Sequence, residues 1–247
     1  MMGKVIARSP RAKGTDPKPI PPLQNGDRLT RDEFERRYEA MPELRKAELV
    51  EGVVYLPSPV KQNQHGRPHA LVINWLVPYT AATPGVDFGC ESTVRLDRDN
   101  EPQPDACLFI MPGLGGTARI SEDDYLEGAP ELIAEIAATN ASYDLHPKLA
   151  AYRRTGVREY LVWRVLDREI DWFALKRGEY RLIPAGPKGV LKSLVFPGLW
   201  LDPSPLIRGD LKEVLRVLGR GLRSPEHRAF AARLERRGRR RRGRDTA

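Results

Sequence analysis

The sequence is short of cysteine: two, Cys90 and Cys107, in 247 residues. That excludes a disulfide framework and makes a reducing, cytoplasmic compartment the expectation, with both thiols acting as small buried hydrophobes. No apolar run reaches membrane-spanning length, so no membrane partner is expected. The opening stretch MMGKVIARSPRAKGTDPKPIPP has no apolar core of a signal peptide. GLGGTA at 113–118 is glycine-rich, but no lysine and helix follow at phosphate-loop spacing, which excludes that nucleotide fold. His65 and His69 stand four apart, yet Pro68 between them implies a helix start, and no Cys or His partner follows. Zinc is therefore set aside, and one histidine is expected near a cleft and the other in solvent. No internal repeat is found.

Charge is present in quantity but unevenly placed. The net charge is +8. Residues 1–28 hold six Lys/Arg and two Asp, a balance of +4. Residues 206–247 hold fourteen Lys/Arg against five Asp/Glu, a balance of +9, which leaves −5 for the body between. Acidic groups gathered in such a body suit a cation, and basic ends suit a polyanion.

Residues 1–28, rich in Pro, Gly, Lys and Arg, are expected to be a disordered basic lead-in. In LTRDEFERRYEAM, Thr30 is a helix N-cap with Glu33 at the reciprocal capping-box position, and Leu29 and Phe34 can staple the start. AELV and VVYL flank Glu51-Gly52 as a hairpin. Pro68 opens a helix with Leu71, Val72, Trp75, Leu76 and Tyr79 on one stripe. GVDFGCESTVRLD and PDACLFIM are strands, and GLGGTARISEDDYLEGAP is a loop. ELIAEIAAT is a short apolar segment, and YDLHPKLAAYRRTG is a helix stopped at Gly156. Three strands follow, EYLVWRVL, EIDWFAL and EYRLIPAG, and VLKSLVFPGLWLD closes the body at about residue 203. Beyond it come an amphipathic helix, LIRGDLKEVLRVLGRGL, and an arginine run at 236–244 expected to be a disordered tail. Strands and helices mix, with a strand–helix–strand unit near 131–165, so the class is α/β or α+β.

Asp105 opens the apolar run Ala106–Ile110, where a bare charge costs several kcal/mol. Glu131 and Glu135 lie on one side if their segment is a strand. Carboxylates so placed must be separated, protonated or bridged by a cation. Asp105 and Glu135 from neighbouring strands suit Mg²⁺ or Mn²⁺, which take one or two carboxylates and keep waters. Lys148, on the following helix, can reach back to the same strand end and act on a water or on developing charge, as metal-assisted phosphodiester hydrolysis requires. The same residues also permit a structural account: Asp105 caps a turn, Glu131 flanks the segment and Glu135 pairs with Lys148. Asp144 precedes Lys148 by four, either as an exposed ion pair or as a support behind the site. Tyr152 is assigned to the core.

The spaced set PD…E…K resembles the PD-(D/E)XK nuclease superfamily. AELVEGVVYLPSP, His65 with its helix, VRLD…QPDACLFI, PELIAEIAAT…YDLHPKLAAYRRTGVREYLV and LKSLVFPGLWLD resemble, in order, the Uma-type family of restriction endonucleases over residues 29–203. The resemblance implies a restriction-endonuclease-like mixed central sheet flanked by helices, with an N-terminal helix and hairpin. It implies a divalent metal, Mg²⁺ or Mn²⁺, held by Asp105 and Glu135, with Glu48 on the hairpin facing it. Lys148 would position the attacking water, and His65 would contact water or phosphate. DNA would be the partner, and cutting both strands asks for two sites, hence a homodimer by analogy. The pattern has departures. Ala137 stands where the superfamily carries its lysine, Ala47 where the family hairpin has tyrosine, and Val53 where it has a second acid. Ala138 replaces an expected serine, and Leu161 and Arg164 replace a tryptophan and an aspartate. None removes an implied metal ligand. A DNA-binding protein without catalysis, or an assembly module, would keep the same fold.

Overall fold

The computed structural model describes residues 19–138 and 144–245. Its centre is a six-stranded mixed sheet, three of whose inner strands are buried on both faces. The strands are β3 (Val86–Cys90), β5 (Ala106–Ile110), β8 (Leu132–Ala137), β9 (Glu159–Arg164), β10 (Glu169–Lys176) and β11 (Glu179–Leu182). Their order is β11-β10-β9-β8-β5-β3. β8 and β9 run parallel, joined through α3 (Leu149–Thr155), and the remaining pairs are antiparallel. This is the strand–helix–strand unit expected near 131–165. Gly156 takes φ 89° and ends α3 in the left-handed cap that glycine favours.

Strand parity divides the core. Along β8, Leu132, Ala134 and Ile136 face one apolar cluster, with Trp75 and Leu76 of α2 (Arg67–Ala81) and Val214 and Leu218 of α5 (Leu211–Leu222). Ile133 and Ala137 face the other, with Tyr152 and Tyr160. Trp75 packs edge-on against Trp172 at 5.5 Å between ring centroids, and its indole N–H donates to the Trp200 carbonyl at 3.0 Å. Burying side chains of this size yields about 1.5–3 kcal/mol each, which is what holds the helices to the sheet.

The hairpin β1 (Glu48–Val50) and β2 (Val53–Tyr55) turns on Glu51 and Gly52, at φ 52° and 71°. Two positive φ angles are what a two-residue hairpin with matched twist demands. The hairpin is tied to the body by reciprocal Leu49–Glu101 backbone bonds of 3.1 and 2.7 Å. α1 (Arg31–Glu39) lies beside it, with Phe34 fully buried and Leu29 packed on the same cluster, so the staple forms. The capping box does not. Thr30 makes no side-chain cap bond, and Glu33 is drawn instead to Arg36 and Arg37 at 2.6–2.7 Å.

Other expectations are corrected. Residues 19–28 are tied down rather than loose: Leu23 is buried, and Gly26 N–H donates to Val54 O at 2.8 Å. Residues 1–18 lie outside the described part. The stretch read as one loop carries β6 (Arg119–Ile120) and β7 (Leu126–Glu127), which form a small sheet with β4 (Val94–Arg95). The single helix expected after the body is broken at Gly209. α4 (Pro203–Arg208) ends there, and α5 restarts with Asp210 accepting from the Glu213 N–H at 3.1 Å. The arginine run is helical, as the second half of α6 (Pro225–Asp245). β12 (Leu191–Lys192) and β13 (Trp200–Leu201) pair and complete the body. Cys107 is buried, whereas Cys90, at the end of β3, is exposed. Among the described residues no helix is long and apolar enough to cross a membrane.

Candidate active site

Pro104 cannot join a ladder, so β5 begins only after Asp105. The antiparallel register sets Ala106 opposite Ala134, and one further step brings Asp105 across from Glu135. Directly opposed residues share a face, so both carboxylates emerge together at one end of the sheet. Each is almost fully buried, at 4% and 3% exposure. The Asp105 N–H points at Glu135 Oε2 across 3.4 Å.

Around this pair the elements deliver one group each. The Ile136 N–H donates to Asp105 Oδ2 at 2.7 Å, and His65 Nε2 lies 3.0 Å from Oδ1. His65 stands in a wide helical turn, Gln62–Gly66, that leads into α2. Another wide turn, Asp144–Lys148, precedes α3 and supplies Lys148. Its ammonium donates to Glu135 Oε1 at 2.9 Å and to Glu48 Oε1 at 3.0 Å. The hairpin supplies Glu48, whose Oε1 also accepts from the Gln103 N–H at 2.8 Å. All five residues expected from the sequence, Glu48, His65, Asp105, Glu135 and Lys148, therefore converge. Together they line a cavity of about 450 Å³ whose wall includes Lys46 and Glu91.

Burial resists ionisation of Asp105. The His65 hydrogen bond and charge, the Ile136 amide and the charge of Lys148 overcome it and hold the carboxyl below its usual range. The same hydrogen bond raises His65 against its own desolvation. Asp105 and His65 therefore favour the ion pair in the absence of another cation.

Other residues sit differently from expectation, or were missed. His69 is half-buried rather than free in solvent: its Nε2 donates to the Asp105 carbonyl at 2.8 Å, which places a proton on that nitrogen. The i, i+4 spacing carried this signal, since one helix side then presents both rings to one residue. Tyr152 is in the core as expected, but its hydroxyl also donates to Glu135 Oε1 at 2.9 Å. Gln103 and Lys46 gave no sequence signal. Glu131 lies at the far end of β8 from the site and accepts from the Ile110 N–H at 2.8 Å, a structural bond. The side chain of Asp144 lies outside the described residues.

A family model described as "Uma2: Putative restriction endonuclease" matches residues 31–204. The chain belongs to the Uma2 family. Its fold is similar to the crystal structure of a "putative nuclease belonging to DUF820" from Anabaena variabilis ATCC 29413. The TM-score is 0.54 at 14% identity, over 70% of this chain and 97% of that one. Likeness at that identity speaks for the fold. A comparison with curated proteins found no match.

The donor set meets in part the needs of the divalent metal that the family resemblance implies. Among the described residues, no three His, Cys, Asp or Glu side chains stand as a ready cage. The Lys148 ammonium lies between Glu48 and Glu135, where a cage would need open space. The donors are nevertheless hard oxygens from opposed carboxylates at the edge of a cavity. That fits an ion which takes one or two carboxylates and otherwise keeps its water.

Proposed function

We propose that this Uma2 family member is a metal-dependent DNA endonuclease of the PD-(D/E)XK type, hydrolysing phosphodiester bonds. The observation that carries the proposal is the meeting of Asp105, Glu135 and Lys148 at one sheet end, with Glu48 closing the far side of the ammonium. Asp105 and Glu135 would hold Mg²⁺ or Mn²⁺, and Glu48 would face it directly or through water. When bound, the ion would polarise the phosphoryl oxygen and lower the pKa of water.

The chain's own residues do the rest. Tyr152 and the Ile136 amide fix the two carboxylates by hydrogen bonds of 2.9 and 2.7 Å, and Glu135 and Asp105 both line the cavity. The Lys148 ammonium sits on a flexible four-carbon stem and carries three donors. On leaving one of its two carboxylates it can orient a water or meet charge developing on the phosphate. His65, half-buried at the cavity wall, is placed to contact water or phosphate once its partner oxygen on Asp105 is engaged elsewhere. Cutting both strands asks for two such sites, and a pair of chains would supply them.

The test is plasmid cleavage with Mg²⁺ or Mn²⁺, comparing wild type with Asp105→Ala and Lys148→Ala. The expected result is cleavage by wild type and a loss of at least about 100-fold in each variant. Equal residual activity in all three proteins rejects the assignment.

A second reading is favoured by the ammonium already paired on both sides. It is a nucleic-acid-binding protein that keeps the fold and uses these charges only for structure. Tight, salt-sensitive DNA binding with no cleavage, and no calorimetric metal uptake, would favour it.

A further inference from the structure

We propose that the outer face of α6 is a second nucleic-acid surface, which grips duplex DNA by its phosphates away from the catalytic cavity. The partner class rests on the nuclease reading; the geometry of the helix does not. α6 lies beyond the residues matched by the family model.

The first half of the helix is anchored. Phe230 and Leu234 are buried in the larger core, and Phe230 meets Phe196 edge-on. His227 bridges the Leu222 carbonyl at 2.8 Å and the Thr83 hydroxyl at 3.0 Å. A helix held this way projects its second half at a fixed angle. That half also touches the body, as Arg237 donates to the Leu114 carbonyl at 2.6 Å.

Positions 230, 234 and 237 follow helical spacing and form the inward side. Arg236, Arg239 and Arg240 are three and four apart and form the side facing away. All three are exposed, and none has an ion-pair partner among the described residues. Glu235 is the one acid between residues 235 and 241, against five arginines. Such a row has the sign and spacing for a phosphate backbone, and guanidinium forks match phosphate oxygens in pairs. An anionic membrane fits less well. After Leu234 the described helix carries only Glu, Arg, Gly and Asp, so it has no apolar side to insert.

The placement makes this a separate contact. Leu114 follows the end of β5 opposite to Asp105, and five residues of strand span roughly 17 Å. DNA on α6 is therefore tethered near the cavity rather than lodged in it. The effect falls on affinity and KM, with kcat unchanged.

The experiment is anisotropy titration of a 30-base-pair duplex in EDTA over a range of salt. It compares wild type, Arg236→Gln/Arg239→Gln/Arg240→Gln and the matching triple Lys variant, each checked by circular dichroism. The Gln variant is expected to bind at least tenfold more weakly at low salt, with a log K against log salt slope shallower by about 2–3. The Lys variant, which keeps the charge, is expected to retain most of the slope. Wild-type affinity and slope in the Gln variant overturn the proposal. So does binding of wild type to phosphatidylglycerol vesicles but not to the duplex. No metal or cleavage enters the readout. A slope lost in the Gln variant while wild type fails to cut plasmid would reject the nuclease reading and leave this surface standing.

Discussion

Lys148→Met tests the site through stability as well as activity. The ammonium is 4% exposed and donates to two carboxylates that are themselves 3% and 8% exposed. Methionine fills similar volume but leaves Glu48 and Glu135 buried, facing each other without that cation. Removing one partner of a buried ion pair costs about 3–5 kcal/mol. In a domain of this size each kcal/mol moves Tm by about 2–4 °C, so a fall of at least about 6 °C is expected in EDTA. The metal arm of the experiment is more discriminating. In the proposed function a divalent ion would share Glu135 and Glu48 with the ammonium, so millimolar Mg²⁺ should raise the Tm of the variant by more than it raises wild type. Ligand binding stabilises by RT ln(1 + [L]/Kd), and tighter binding to the uncompensated carboxylates enlarges it. The assay is thermal melting with Mg²⁺ or EDTA, with Glu135→Gln/Lys148→Met closing a double-mutant cycle. Loss below about 1 kcal/mol, coupling near zero and no extra Mg²⁺ effect would together refute a cation shared among these carboxylates.

Tyr152→Phe removes one donor from Glu135 and is expected to cost about 1 kcal/mol, read by urea denaturation, with the ring packing intact. Glu101 gives a pH prediction. Burial first, then a hydrogen bond and repulsion from Glu35, push its pKa up to about 9, against the opposing charges of Arg95 and Arg31. The neutral form is the one the fold favours. Its contribution is complete below the unfolded value of about 4.5 and is lost as pH rises towards 9. Glu101→Gln should therefore flatten the fall in stability between pH 5 and 9 in melts, and an unchanged profile would count against a proton held there. Glu159→Ala should destabilise by about 2–3 kcal/mol in denaturant melts. Its carboxylate holds the Ser193 hydroxyl and the Leu194 and Val195 amides at 2.6–3.0 Å.

The sequence was most legible where one periodicity ran long enough. The stripe on α2, the hairpin turn at Glu51-Gly52 and the apolar strands β5, β8 and β9 each carried their own signal. Asp105 and Glu135 were legible because a charge beside or inside an apolar run needs an explanation, and Lys148 because it follows them on the next helix within reach of the same strand end. Two-residue strands such as β6 and β7 hold too few positions to show alternation, so their sheet read as a loop. The arginine run read as solvated tail because composition speaks first. Arginine is a good helix former, and Phe230 with Leu234 supplies an anchor several residues upstream. Gln103 acts through its backbone N–H, which no side-chain pattern reveals. Glu33 was offered two choices by the chain, and the two arginines a turn later outweighed the cap.

The departure at Ala137 has a physical account in the same terms. A lysine two residues after Glu135 would share its face of β8, because strand parity repeats every second residue. Ala137 does lie on that face, buried beside Tyr152 and Tyr160 in the smaller core. A long side chain there would have to thread through this packing to bring an amine to the carboxylate. Alanine keeps the packing closed, and the helical turn Asp144–Lys148 brings the amine from outside the sheet to the same carboxylate at 2.9 Å. What the proposed chemistry constrains is the position of the charge in space, and a strand or the following turn can deliver it. Moving the lysine to the turn adds a consequence that a strand lysine would lack. The ammonium is then held between the sheet and the hairpin through Glu48, so the packing of the hairpin against the body and the charge at the site depend on each other.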